Sequence, residues 1–334
     1  MTKQSTAATH TIQLGKTGPR VHALGLGCMG MSGMYGETSD EESLATIHAA
    51  IDAGITLIDT GDFYGMGHNE LLVGRAIRGK RDQVVVSVKF GALRGPDGAW
   101  SGMDTRPAAV KNFVAYSLKR LGVDAIDVYR PARLDPNVPI EETVGAIADL
   151  VRAGYVKHIG LSEVGAETIA RAAKVHPIVD LQIEYSLASR SPEAKVFPAL
   201  DEAGISATLY GVLSRGLLSG RKPGGKGDYR AYLPRFAGEA GAKNEAVVAR
   251  FADYAKARGL TPSQLAVAWT LAKRPTNVTL IGPKTRGQLE DMLGALANPL
   301  DAATLAEMEK SFPKDAFFGE RYAKEQMAHL DSER

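Results

Sequence analysis

The chain has 334 residues, 44% of them hydrophobic and 23% charged, a make-up that excludes a mostly disordered or fibrous protein. Its 40 Lys and Arg against 38 Asp and Glu leave a formal charge of +2 with no dense basic run. Nucleic acid and membrane are therefore not expected partners, and small molecules are. The single cysteine, Cys28, rules out an intramolecular disulfide, and more simply packs as a small hydrophobe than serves as a nucleophile. With a polar stretch over residues 1–10 and no run of about 20 apolar residues, the chain reads as cytoplasmic.

Residues 11–20, TIQLGKTGPR, predict a small hairpin around Gly15 to Gly18, and residues 21–26 a first strand. A helix is expected from Ser39, an N-cap with Glu42 three residues on. It carries Leu44, Ile47 and Ile51 at helical spacing and closes on Gly54, ahead of a strand over 55–60. The same phrase of amphipathic stretch, glycine and short strand returns three times. Gly122 precedes 125–130, Gly154 precedes 156–162 and Gly204 precedes 205–210. Residues 84–88, 179–183 and 278–281 complete eight strands.

Apolar strands alternating with helices imply parallel pairing through right-handed crossovers. Eight similar units favour one closed (β/α)8 TIM barrel, an α/β fold spanning 1–334 as a single domain, over a doubly wound open sheet. Outside the repeat, the Gly-rich, basic segment 220–241 is a long loop after strand seven, either a mobile functional loop or a solvated insertion. The residues after Phe312 are expected to extend over one barrel end.

GLGCMG at 25–30 matches the dinucleotide G-x-G-x-x-G literally, yet no helix is expected before Ser39, so it lacks the helix N-terminus that would hold pyrophosphate. In a barrel of this kind chemistry gathers where strands end. Strand two ends in Asp59 and leads to Tyr64, strand three ends in Lys89, and strand five ends in Ser162 and Glu163. Strand six holds Gln182, strand seven ends in Tyr210, and Lys284 and Thr285 follow strand eight. An Asp59–Lys89 ion pair is the simplest way to bury both charges. The neighbouring ammonium would then draw the Tyr64 phenol below its usual range, toward general-acid use; an ordinary ion pair with a tyrosine packed nearby is the alternative.

Several segments, ITLIDTGDFYGMGHNELLVGRAI, VVVSVKFG, VKHIGLSE, LQIEYSL, LYGVLSRGLLSG and IGPKTRGQLEDML, resemble in order and spacing the signature segments of the aldo-keto reductase superfamily, over residues 14–312. The resemblance implies a barrel that binds NADPH across its carboxyl end without a Rossmann domain and reduces aldehydes or ketones. It implies Asp59, Tyr64 and Lys89 as catalytic residues, with Tyr64 the proton donor. Ser162 and Gln182 would hold the nicotinamide carboxamide and Tyr210 would stack on the ring. Leu213, Arg215, Leu217 and Ser219 would lie near the pyrophosphate. Lys284 and Thr285 would meet the 2′-phosphate, with Gln288 and Asp291 nearby, and Gly27, Met29 and Gly282 would complete the cofactor contacts. A Lys beside a hydroxyl suits a phosphomonoester, which favours NADP over NAD.

The chain departs from that pattern at three positions. Relatives place His at the end of strand four; here DVYRPARLDP puts Ala132 there. Glu163 and Met292 stand where Asn is usual. Ala132 widens the pocket beside the proton donor and favours a bulky or cyclic ketone. Met31, Tyr35, Phe63 and Trp100 are the candidate apolar wall with it. Arg130 is expected in a core ion pair, His68 in a capping or solvent-facing role, and no metal is expected. A carbonyl reductase is the leading reading; a cofactor-binding regulatory or redox-sensing barrel is the rival. Neither the physiological substrate nor the oligomeric state is legible.

Overall fold

The computed structural model describes residues 10–224, 228–328 and 330–334. Eight parallel strands form a closed barrel in sequential order: β1 (Leu24–Gly27), β2 (Leu57–Gly61), β3 (Val85–Phe90), β4 (Ile126–Pro131), β5 (Val156–Ser162), β6 (Ile178–Glu184), β7 (Ser206–Tyr210) and β8 (Val278–Ile281). The ring closes through β5 on β6. Around it run α1 (Asp40–Asp52), α2 (His68–Ile77), α3 (Pro107–Leu121), α4 (Ile140–Arg152), α5 (Ala166–Val175) and α6 (Val196–Ala203). Then follow α7 (Gly238–Lys256), α8 (Pro262–Lys273), α9 (Arg286–Leu293) and α10 (Ala302–Ser311). Among the described residues no helix is long and apolar enough to cross a membrane.

The expected helix signals act as read. Ser39 Oγ accepts from the Glu42 amide at 3.1 Å at the start of α1. The glycines that end two of the repeats are left-handed, Gly122 at φ 66° and Gly204 at φ 68°. After β1 comes a short 3-10 turn, Met29–Ser32, and no α-helix begins between β1 and Asp40, so the GLGCMG match is coincidental.

The expected first strand, 21–26, divides in two. Arg20–His22 pairs antiparallel with Thr11–Gln13, and the chain bends at Ala23 before Leu24–Gly27 enters the barrel. The cause is the floor of the barrel. Ile12, Leu14 and Val21 pack on Leu57, Val128, Val179, Val278 and Leu280, so the hairpin closes the amino end as an apolar plug. Gly15 is needed for the seat: its φ is 53°, and a Cβ there would meet the Val179 carbonyl oxygen at 2.7 Å.

Two further elements escaped the sequence reading. A hairpin of Ala92–Arg94 and Trp100–Met103 rises from the end of β3, although Gly95-Pro96-Asp97-Gly98 carried a turn signal. Helix α7 begins at Gly238, inside the stretch read as loop, and residues 225–227 of that loop lie outside the described residues.

Above the plug the barrel interior turns polar. Arg130 is fully buried, donating to Asp180 Oδ2 at 3.0 Å and Ser87 Oγ at 2.9 Å, while Thr208 donates to the same carboxylate oxygen at 2.6 Å. The core ion pair expected for Arg130 is thus present. Arg130→Met would strand a buried carboxylate and is expected to cost about 3–5 kcal/mol by denaturant unfolding. Removing both charges, Arg130→Met with Asp180→Leu, should cost less than the single change.

Candidate active site

All strand carboxyl ends open on one face. The loops leaving it hold every described non-glycine residue with positive φ: Met66 (53°), Glu163 (54°), Ser214 (47°) and Arg215 (57°). Such backbone costs about 1–3 kcal/mol per residue and persists only where the surroundings enforce it.

Parallel register sets Asp59 beside Ser87 and Gly61 beside Lys89, and Ser87 and Lys89, two apart, share a face of β3. Both therefore reach the Asp59 carboxylate. Lys89 Nζ pairs with Oδ1, Ser87 donates to Oδ2 at 2.8 Å, and Gln182 Nε2 donates to Oδ2 at 2.8 Å from β6. Asp59 and Lys89 are buried, so the ion pair expected from the sequence is made and its charges are hydrogen-bonded.

Tyr64 is brought to this pair by the sharp turn Tyr64–Gly67. Its ring meets the edge of Phe63 at 4.7 Å, and Lys89 Nζ lies 5.2 Å from its centroid. The electrostatics correct the sequence reading. Burial first, then the Asp59 carboxylate, holds the Tyr64 phenol well above its usual range, and Arg133 pulls the other way. The Lys89 ammonium, engaged by Asp59, does not outweigh these effects. Tyr64 is consequently kept protonated, the form a proton donor requires.

The residues assigned to a cofactor lie around the same face. Ser162 Oγ is buried with no hydrogen-bond partner, an orphan that calls for a ligand amide or water. Tyr210 donates to Glu163 Oε1 at 2.7 Å. Leu213 and Leu217 flank the left-handed Ser214–Arg215 turn, and Ser219 donates to the Gly216 carbonyl at 2.8 Å. Arg215 binds Glu184 at 2.7 Å and the Arg321 carbonyl at 2.7 Å. Gly27 and Met29 leave the end of β1, and Gly282 follows β8, close to the Gly27 carbonyl. Lys284 Nζ donates to the carbonyls of Tyr35 at 2.8 Å and Glu37 at 3.3 Å. Thr285 caps α9 by accepting from the Gln288 amide, and Gln288 accepts from the Lys284 amide at 2.8 Å. Asp291 instead accepts from Thr261 at 2.7 Å, at the cap of α8.

The apolar wall needs revision. Met31 is fully buried in the core, because the 3-10 turn after β1 folds it inward. Tyr35 packs on Tyr229, ring centroids 5.6 Å apart, where the loop after β7 meets the loop after β1. Phe63 stays beside Tyr64, and Trp100 stands half exposed on the hairpin with Arg94 between the two rings, 5.9 and 5.8 Å from them. Ala132 is buried, its amide donating to the Phe90 carbonyl at 2.8 Å. His68 bridges Ser32 and Asp40, each at 2.9 Å, at the start of α2.

Sequence reasoning missed the tail's contribution. Arg321 clamps Glu163 through contacts of 2.6 and 3.0 Å, and Ser332 donates to Glu163 at 2.8 Å. Tyr322 lies 3.3 Å from the Tyr210 hydroxyl, with the Arg215 guanidinium 4.3 Å over its ring. The extension over one barrel end was anticipated; its residues were not, since no periodicity or motif marks them. Glu163 is held well below the usual carboxylate range despite burial, because Arg321 binds it.

A closed parallel barrel whose carboxyl face gathers Asp59, Tyr64 and Lys89 defines an α/β-barrel enzyme class. The chain belongs to the aldo/keto reductase family, whose family model matches residues 23–312. It is 37% identical over 311 residues to the NADP(+) aldo-keto reductase yakc of Schizosaccharomyces pombe, covering 90% of this chain and 92% of that protein. To probable aldo-keto reductase 1 of Glycine max it is 39% identical over 329 residues, covering 95% and 92%. Among solved structures it superposes on the glycerol dehydrogenase AKR11B4 of Gluconobacter oxydans with a TM-score of 0.81 at 28% identity, covering 92% of this chain and 97% of that one. The holo form of the aldo-keto reductase AKR11C1 of Bacillus halodurans gives 0.76 at 27% identity, covering 93% and 98%.

One titration near the site is accessible to experiment. Burial first, then the Glu70 charge, raises Asp62 to about 7, and its Oδ1 has no partner. The folded chain thus keeps a proton that the unfolded chain releases near the ordinary carboxylate range. Stability from this group is full at low pH, falls as pH rises from about 4 to about 7, and stays lost above. Asp62→Asn should therefore gain on the wild type by a few kcal/mol between pH 5 and pH 8, read as diverging melting temperatures.

Proposed function

We propose that this protein reduces a bulky or cyclic ketone to the alcohol, with Tyr64 delivering the proton to the carbonyl oxygen. Membership of the aldo/keto reductase family makes it an NADP-dependent oxidoreductase of carbonyl compounds. The observation that carries the finer reading is the buried, protonated Tyr64 phenol beside the Asp59–Lys89 pair, with Ala132 where an imidazole would fill space.

The residues present suit the cofactor. The orphan Ser162 Oγ offers a buried partner for a carboxamide, and Lys284 Nζ, bound among the described residues only to carbonyls, offers a cation for a phosphate. Ser162, Gln182 and Tyr210 would hold the nicotinamide end; Leu213, Arg215, Leu217 and Ser219 the pyrophosphate; Lys284, Thr285 and Gln288 the adenosine phosphate. Bound NADPH supplies the hydride.

The chain's own groups do the rest. Burial keeps the proton on Tyr64 at neutral pH, so the donor is loaded before substrate arrives. As Tyr64 Oη passes its proton to the carbonyl oxygen, the cationic Arg133 favours the phenolate left behind, and Lys89 sits beside the ring. Asp59 fixes Lys89, and Ser87 and Gln182 fix Asp59. With no imidazole at Ala132, the carbonyl is positioned by the pocket wall, which rewards a substrate large enough to touch it.

NADPH oxidation with a panel of aldehydes and ketones tests the reading. Tyr64→Phe should retain cofactor binding and lose about 10²–10⁴-fold in kcat. Undiminished activity in that variant would exclude Tyr64 as donor, and tight cofactor binding without turnover of any carbonyl would favour the regulatory barrel. Ala132→His should lower the ratio of kcat/KM on a cyclic ketone to that on a short aldehyde; an unchanged ratio would remove the bulky-ketone assignment.

A further inference from the structure

The cations at the mouth of the barrel divide into two groups. Lys89 is paired with Asp59, Arg215 with Glu184 at 2.7 Å, and Arg321 with Glu163 at 2.6 Å. Arg133 has no such partner among the described residues. Its hydrogen bonds go to the Ala132 carbonyl at 2.6 Å and the Tyr322 hydroxyl at 3.2 Å, both neutral acceptors. Glu163 attracts it but is already taken by Arg321, Tyr210, Ser332 and the Glu184 amide. Arg94, on the hairpin beside Phe63 and Trp100, likewise bonds only a carbonyl, that of Gly98 at 3.2 Å. Tyr210, Tyr322 and Glu163 keep the Arg133 guanidinium charged despite its burial, and its planar fork, engaged by no carboxylate among the described residues, matches one.

The dinucleotide phosphates do not explain Arg133. In the strand order β8-β1-β2-β3-β4, it follows β4 on the opposite side of the ring from Lys284, which follows β8. It is next to Ala132, where relatives carry the imidazole, and it is close enough to Tyr64 to act on that phenol. We propose that Arg133 binds a carboxylate on the substrate, so that the carbonyl compounds this enzyme reduces best are oxo acids. The proposal rests on the carbonyl-reductase reading and names the substrate class that reading leaves open. Arg133 then replaces the imidazole in a different way: it anchors the substrate through its charge, and Tyr64 meets the carbonyl that the anchored molecule presents.

The test compares two oxo acids, phenylglyoxylate and 3-benzoylpropanoate, with their methyl esters, using NADPH and the full chain. In the wild type at least one acid should exceed its ester at least tenfold in kcat/KM, mainly through KM. Arg133→Gln should lower kcat for both, because it also removes the cation that favours the Tyr64 phenolate, but should lower kcat/KM for the acid at least tenfold more than for its ester, through KM, and Arg133→Lys should restore part of that difference. Acid and ester reduced alike by the wild type, or lowered alike by Arg133→Gln, would overturn the proposal. A second measurement is independent of turnover: calorimetric titration of benzoate and benzamide into the enzyme saturated with NADP(+). Benzoate binding at least tenfold tighter, with the difference lost in Arg133→Gln, supports the anion site even if no carbonyl is reduced, in which case only the reductase reading fails. Equal affinity for the two overturns the anion site.

Discussion

The Asp59 carboxylate is the point to which the interior of the barrel is tied. It is buried, so its charge must be matched inside the protein, and the match comes from the neighbouring strand and from across the barrel: Lys89 and Ser87 on β3, Gln182 on β6. Ser87 in turn accepts from Arg130, which holds Asp180, which accepts from Thr208. One continuous set of polar contacts therefore links β2, β3, β4, β6 and β7. A barrel filled only with apolar side chains would close as well, but nothing in it would fix the height and rotation of Lys89 relative to Tyr64. Removing one charge here leaves the others unmatched, which makes the layer a constraint on geometry more than a source of stability.

Much of this was legible in the sequence because the signals were local. Eight strands, the glycines that end the helices, the Ser39 cap and the hairpin at the amino end follow from periodicity and turn chemistry. Asp59, Tyr64 and Lys89 were legible because strand ends are where a barrel places its polar groups. The division of 21–26 was not, since Val21 and Leu24 look equally strand-like and only the apolar floor decides where the chain bends. Met31 was misplaced for a related reason: a loop's apolar residue carries no sign of whether it faces ligand or core.

Electrostatics were the least legible part. Spacing put an ammonium near the phenol and suggested a lowered pKa, yet the outcome depends on burial and on which anion the ammonium already serves. The same holds for Glu163. On the sequence it is an acid where an amide is usual; in the fold it is a fully buried anion on left-handed backbone, bound by Arg321 and Ser332. Its partners lie more than a hundred residues away in a segment without periodicity, so no reading of a strand end could find them.

The dependence of Glu163 on Arg321 bears on the order in which the protein becomes complete during translation. The ribosome makes β8 before it makes Arg321, Tyr322 and Ser332, so a nascent chain can close its barrel while the anion at the end of β5 still awaits its cation. The mouth thus matures after the barrel, and the segment that carries Arg321 works as a latch set onto a finished cylinder.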